Sequence, residues 1–206
     1  MKNQRRTQLI GAITFALSQA SFAGGPFAID HRLNYDVKGI WNTSYQDAVV
    51  VGTALAVVGG ALWEGGDSRL GRTLWQSVDS LAFSSVTAEA LKYGLSRASP
   101  AQTSNPDSFF NGGRGSFPSS HVAALSGAIT PIVLEYGPDY PLVYGLEGLV
   151  VYEMIGRVKA QEHWQSDVLI GAVLGTAFGF YAHNREQPLI LGYLPEGFFV
   201  GLRQSF

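Results

Sequence analysis

Apolar residues recur along this chain at the spacing of amphipathic helices, with polar and glycine-rich stretches between the periodic segments. The pattern predicts five helices, at residues 45–63, 72–96, 120–135, 140–158 and 166–183. The second helix has the clearest apolar stripe, formed by Leu74, Val78, Leu81, Ala88, Leu91 and Leu95. We therefore predict an all-α protein, a helical bundle of about five to six core helices.

Two stretches outside these helices have patterns of their own. Residues 98–117 are rich in Ser, Asn, Gly and Pro, which predicts a long loop leading into the third helix. The tail, residues 188–206, carries glycine and aromatic residues in a broken alternation, which predicts one short C-terminal β-hairpin. The chain shows no internal repeat. Its length suits a single domain with a buried core.

The first 23 residues have the pattern of a secretory signal peptide: a basic start, an apolar centre and a small-residue ending at Ala23. The apolar centre is shorter than the ~20 residues of a membrane span, which favours cleavage over an uncleaved anchor. The predicted division is a signal peptide (1–23), an N-terminal extension (24–44) and one helical domain (45–206). The expected location is the periplasm or cell envelope.

Composition narrows the choice of partners. Cleavage after Ala23 leaves 11 Lys and Arg residues against 16 Asp and Glu, a formal charge of −5. This acidic balance argues against a nucleic-acid partner. The chain has no cysteine, so packing rather than disulfides must stabilise the exported protein.

The two longest uncharged helical runs are short for membrane spans. Residues 48–63 and 168–182 both fall below the ~18 residues typical of a span. The mean hydropathy of the chain is only +0.10. The pattern favours a soluble or peripheral periplasmic bundle, with a membrane-embedded protein as the alternative.

Candidate chemistry concentrates near the fifth helix, where Arg157 is followed by His163 and then by Asp167. An imidazole attacks phosphorus well when its second nitrogen donates to a fixed acceptor, and Asp167 can be that acceptor. Arg157 offers a guanidinium fork to the charge of a phosphoryl group in transfer. His121, farther upstream, is the candidate proton donor for the leaving oxygen. No metal-ligand spacing accompanies these residues, so we predict no metal and no cofactor.

At these residues the chain resembles the type 2 phosphatidic acid phosphatase superfamily, which also includes bacterial acid phosphatases and vanadium haloperoxidases. The third motif of that family is Ser-Arg-x5-His-x3-Asp. This chain matches its Arg, His and Asp with Arg157, His163 and Asp167, and has Gly156 in place of the Ser.

The second family motif, Pro-Ser-Gly-His, is matched by Pro118, Ser119 and His121. Ser120 stands where the family has Gly, a mild departure if that position supplies only a backbone N–H.

The first family motif, Lys-x6-Arg-Pro, begins at Lys92 and ends at Pro100. Ser99 stands where the motif has its arginine. Arg97 and Arg114 are the two candidates to replace the missing cation.

The resemblance implies a two-step route. His163, oriented by Asp167, takes the phosphoryl group while His121 protonates the leaving oxygen, and water then releases phosphate with His121 as the base. The expected phosphate-binding residues are Lys92, Arg157, Ser119 and Ser120, with Arg97 as an addition.

The predicted function is that of an exported, metal-independent phosphatase of the acid or lipid phosphatase type. A phosphorylated lipid is favoured over a small soluble phosphomonoester, because superfamily members in cell envelopes act on phosphatidate, isoprenyl pyrophosphate or lipid A. Two alternatives stay open. One is a vanadium-dependent haloperoxidase with the same anion pocket, and the other is a non-catalytic envelope protein that retains the fold, suggested by Ser99.

Overall fold

The computed structural model describes residues 24–185 and 187–190. Five α-helices lie within residues 24–185: α1 (Thr43–Glu64), α2 (Arg69–Leu95), α3 (Ser120–Tyr136), α4 (Glu147–Lys159) and α5 (Gln165–His183). No strand occurs among the described residues, which confirms the all-α fold class. The predicted signal peptide and most of the predicted hairpin lie outside those residues.

Helix boundaries follow local capping chemistry. The side chains of Asn42 and Ser68 accept hydrogen bonds from the first turns of α1 and α2. The fourth predicted helix begins later than its apolar pattern suggests, because Pro141–Leu146 forms a 3-10 helix before α4. This proline lacks the N–H that an α-helix interior requires, and it suits the first turn instead.

The core is built around α3, which packs against α2 and α5 and buries Val122, Leu125 and Ile129. Close contact between α3 and α5 depends on glycine. A side chain at Gly171 would place its Cβ 2.6 Å from the backbone oxygen of Ser119, a separation that van der Waals packing forbids. The N-terminal ends of α3 and α5 are thereby held side by side.

Residues 24–36, here named the N-terminal strap, lie against the segment that joins α4 to α5. The two backbones connect where the Asp36 N–H donates to the Lys159 carbonyl at 3.0 Å. Nearer the start of α5, the His31 N–H donates to Gln165 Oε1 at 3.0 Å, and Gln165 Nε2 donates back to the His31 carbonyl at 2.9 Å. Part of the predicted N-terminal extension is therefore an ordered piece of the folded domain.

One helix in the described part of the chain, α1, is long and apolar enough to cross a membrane. Only 17% of its most apolar window is buried inside the protein. Val51, Leu55, Leu62 and Trp63 are exposed along this helix. The rest of the described protein therefore leaves much of the apolar surface of α1 uncovered.

Candidate active site

The motif residues, far apart in sequence, meet at one end of the bundle. Lys92 lies in the last turn of α2, Arg157 near the end of α4, and His121 and Asp167 in the first turns of α3 and α5. His163 lies in the turn just before α5. Two helix N-termini thus point their positive ends toward one place, as anion-binding sites require.

Burial distinguishes the members of this group. Lys92, Arg157 and His163 are almost fully buried, with 3%, 6% and 3% of their surface exposed. The side chain of His121 is half-buried, with 32% exposed. Of these four side chains, His121 therefore lies nearest the solvent.

His163 and Asp167 face each other, with 3.6 Å between Nδ1 and Oδ2. This distance is longer than a hydrogen bond, and such contacts in unliganded sites commonly tighten when substrate binds. Asp167 is itself fixed, because Oδ2 accepts from the Trp164 N–H at 2.9 Å and Oδ1 accepts from Arg97 Nη1 at 2.5 Å. The carboxylate is therefore positioned to orient the imidazole.

Arg97 does not lie where a phosphate-binding residue should. Its side chain is fully buried, and its N–H groups donate to acceptors around it: Asp30, Asp167, the Ser166 hydroxyl and the Pro106 carbonyl. A guanidinium has five N–H groups, and these contacts use all of them. The expectation that Arg97 holds phosphate is therefore corrected: it lies behind Asp167 and binds that carboxylate.

Arg114, the other candidate replacement for the missing family arginine, is also paired. It donates to both oxygens of Glu89, at 2.8 Å from Nε and 2.7 Å from Nη2. The hydrogen bond from Arg114 lowers the pKa of Glu89 to about 2. Arg114 contributes positive charge at the mouth of the site, while Lys92 and Arg157 lie deeper.

Acidic residues that sequence reasoning missed surround Arg157. Its Nη2 contacts Glu162 Oε2, and its Nη1 lies 3.7 Å from Asp47 Oδ1. The same Asp47 oxygen is 3.5 Å from His121 Nε2. Asp47 could have been noticed as the one charged residue of α1 before Glu64 at its end, but its partners are distant in sequence.

Glu153, one turn before Arg157 on α4, was also missed. It is fully buried, and neither carboxylate oxygen has a hydrogen-bond partner. Its nearest cation is the Arg157 Nε, 4.0 Å away. Burial raises the pKa of Glu153 from its ordinary 4.5 to about 7, despite the lowering effect of Arg157.

Both histidines of the site are neutral near pH 7. Burial lowers the pKa of His163 to about 4 and outweighs the raising effect of Asp167, while Lys92 and Arg157 add smaller lowering effects. Burial, with Arg157 next in importance, likewise lowers the pKa of His121 to about 4. Burial also lowers the pKa of Lys92, to about 8. A neutral His163 keeps the lone pair that nucleophilic attack needs.

The two serines of the second motif begin α3. The Ser119 N–H donates to the Asp167 carbonyl at 2.9 Å, and its hydroxyl oxygen accepts from the Val122 N–H at 3.5 Å. The hydroxyl hydrogen of Ser119 therefore remains able to donate. Ser120 is the first residue of α3, where the backbone N–H has no partner within the helix.

No cluster of three or more His, Cys, Asp or Glu side chains suited to a metal ion occurs among residues 24–185 and 187–190. The groups that face the candidate nucleophile are instead the two cations Lys92 and Arg157.

Comparisons with known proteins identify the family of this chain. The model of the PAP2 superfamily matches residues 73–189, more than half of the chain and all three motif regions. The chain is also similar to lipid A 1-phosphatase of Porphyromonas gingivalis, with 30% identity over 119 residues. That similarity covers 57% of this chain and 24% of the relative, so the chain spans about a quarter of the relative's length. No solved structure matches the chain.

Proposed function

This chain belongs to the PAP2 superfamily, and we propose that it is a metal-independent phosphatase for a phosphomonoester or pyrophosphate carried by a lipid. One observation carries the proposal. His163 is a buried imidazole whose pKa is lowered by burial and by two flanking cations, Lys92 and Arg157, with a fixed carboxylate behind it. A neutral nucleophile beside cations is what phosphoryl transfer without a metal demands.

In the first step, Nε2 of His163 attacks phosphorus because Nδ1 faces Asp167. The N–P bond forms as the P–O bond to the leaving group breaks, and Lys92 and Arg157 stabilise the charge on the equatorial oxygens. His121 donates a proton to the leaving oxygen. A bound phosphate dianion would raise the pKa of His121 from its lowered value, since an opposite charge favours the imidazolium.

In the second step, water attacks the phosphohistidine while His121, now neutral, takes one of its protons. The new P–O bond forms, the N–P bond breaks, and its electron pair returns to Nε2 of His163. Inorganic phosphate leaves, and both histidines regain their starting charge once His121 has exchanged its proton with solvent.

A lipid substrate is supported by two features. The N-terminal end of α1 brings Asp47 to the site, and the rest of that helix exposes apolar side chains. A similar protein is a lipid A 1-phosphatase. We place the protein in the cell envelope, with the exposed face of α1 in contact with membrane lipid and His121 near the point where the phosphate head group enters.

The test is phosphate release by the purified full chain in detergent, with EDTA present. The panel is phosphatidate, isoprenyl pyrophosphate, lipid A and nitrophenyl phosphate. We expect turnover with a higher kcat/KM on a lipid than on nitrophenyl phosphate, and none for His163→Ala. Bromide oxidation after vanadate addition would support a haloperoxidase instead. Absence of turnover on the whole panel, with or without divalent metal, would support a non-catalytic protein.

A further inference from the structure

Asp30, on the N-terminal strap, is buried next to Arg97 and the first turn of α5. Its Oδ2 accepts from Arg97 Nη2 at 2.6 Å and from the Ser166 hydroxyl at 2.6 Å. Its Oδ1 accepts from the Ser166 backbone N–H at 2.7 Å. The side chains of Asp30 and Arg97 are both fully buried.

The bond to Ser166 makes Asp30 a cap for α5 supplied from elsewhere in the chain. The N-cap residue of α5 is Trp164, whose indole N–H can only donate and so cannot accept from the first-turn N–H groups. Asp30 provides one such acceptor, and its negative charge suits the helix N-terminus. The first turn of α5 is the turn that carries Asp167.

The bond to Arg97 links Asp30 to Asp167 through a single guanidinium. Arg97 binds Asp30 with Nη2 and Asp167 with Nη1, and lies 4.9 Å from the ring centre of Phe109. The carboxylates of Asp30 and Asp167 and the guanidinium of Arg97 together carry one net negative charge next to His163. When His163 attacks phosphorus its ring becomes cationic, and that net charge stabilises the ring.

We propose that Asp30 is a positioning residue of the active site, which acts through Arg97 to fix Asp167 and to keep the group behind His163 negatively charged. Asp30 lies outside residues 73–189, the part matched by the family model. Asp30 is then a positioning residue supplied by the chain's own N-terminal region. This proposal rests on the proposed phosphatase function, because it assigns a role in that reaction.

The main test is Asp30→Asn in the full chain. The amide oxygen can still accept from the Ser166 N–H, but the charge next to Arg97 is lost. We expect kcat to fall about tenfold or more, as losses of residues that support a reacting side chain commonly do, with KM within about twofold because Lys92 and Arg157 still bind phosphate. An unchanged kcat in folded Asp30→Asn overturns the proposal.

Asp36→Asn is the matched control. Asp36 lies on the same strap and pairs with Lys159 Nζ at 3.0 Å, but its side chain is partly exposed and its carboxylate binds Lys159 rather than Arg97. We expect its kcat to stay at the wild-type value. An equal loss in Asp36→Asn would mean that the strap acts only by supporting the fold, and would overturn the specific role of Asp30.

A double-mutant cycle separates positioning from general stability. If Asp30 acts through Asp167, adding Asp30→Asn to Asp167→Asn should lower kcat less than twofold, because Asp167→Asn already removes the carboxylate that Asp30 would position. Additive losses contradict the proposal.

Gly25→Ala is a second probe of Asp30 that leaves every charge in place. The added Cβ would overlap the Asp30 carboxylate and lie 2.8 Å from Arg97 Nη2, so it displaces Asp30 without removing its charge. If neither Asp30→Asn nor Gly25→Ala folds, the role of Asp30 is structural and the proposal fails.

The two proposals fail in different ways. A wild-type protein without turnover on any phosphate ester refutes the phosphatase function alone. The strap is then tested by NMR, through the nitrogen-15 shift of His163 Nδ1, which should move in Asp30→Asn and stay in place in Asp36→Asn. A shift that is unchanged in both variants refutes the link between Asp30 and His163.

Discussion

The Oδ1 atom of Asp47 lies 3.5 Å from the Nε2 atom of His121. The same oxygen is 3.7 Å from Arg157 Nη1, so one acid from α1 contacts both the proposed proton donor and a proposed phosphate-binding cation. A bound phosphate has to compete with this carboxylate for Arg157.

Asp47→Asn should therefore tighten the binding of vanadate, which mimics the five-coordinate transition state. Asp47 is more than half exposed, so solvent screening limits the effect to about 1 kcal/mol, or about fivefold in the inhibition constant. Inhibition assays on purified protein measure it. Asp67→Asn, an exposed acid beyond the end of α1, should leave the constant unchanged. Weaker vanadate binding in Asp47→Asn would contradict this relationship.

Lys92 should set the alkaline limit of activity. Burial, with Arg114 next, lowers its pKa to about 8, so the cation is lost as pH rises through that value and kcat/KM falls. At low pH, His163 gains a proton near its lowered pKa of about 4 and loses its lone pair. A pH profile of kcat/KM should thus be bell-shaped. Lys92→Arg should move the alkaline limb upward and leave the acid limb in place; an unmoved alkaline limb would exclude Lys92 as its source.

Arg97→Ala should destabilise the fold strongly, because Asp30 and Asp167 would both be left buried without their cation. Removal of one member of a buried ion pair costs about 3–5 kcal/mol of unfolding free energy. Arg114→Ala removes an equally short but exposed pair and should cost less than about 1 kcal/mol. Chemical denaturation of the two variants compares them directly. Similar losses would show that burial of the Arg97 pair contributes little.

Glu153 should make the protein more stable in mild acid. Its pKa is raised in the fold from 4.5 to about 7, so the folded protein binds the extra proton and its stabilising effect is complete below pH 4.5. That contribution is lost as pH rises through about 7. The folded protein must then either bury the charged Glu153 carboxylate or hold a proton that the unfolded chain has released, and both cost free energy. Glu153→Gln should therefore be more stable than wild type at pH 8, by about 2–3 kcal/mol. The gain should disappear at pH 4, and denaturation curves at both values test it.

His121→Ala should affect substrates according to their leaving groups. A nitrophenolate departs without protonation, whereas an alkoxide needs the proton that His121 supplies. We expect the loss of kcat/KM to be about 10²-fold greater on an alkyl phosphate than on nitrophenyl phosphate. His163→Ala should lose all turnover on both. Equal losses on the two substrates in His121→Ala would contradict its assignment as the proton donor.

The sequence by itself predicted the features that depend on neighbouring residues. Helical periodicity and capping are local, so the five helices and the all-α class were predicted correctly. The start of α2 lies at Arg69 rather than 72, and α4 begins after the 3-10 helix Pro141–Leu146. The family was identified from motif spacing, because each motif lies within one short segment. Its membership is confirmed by the match over residues 73–189.

Tertiary structure alone decided which charged groups meet. Arg97 binds Asp30 and Asp167, which lie 67 and 70 residues away in sequence, and no periodicity or spacing connects such positions. The motif suggested a phosphate contact for Arg97, but Asp30 on the strap, the first turn of α5 and the Pro106 carbonyl together accept from all its donors behind the site. The partners of Asp47 and the burial of Glu153 likewise follow from helix packing, because the energy of a charged group depends on what surrounds it in space.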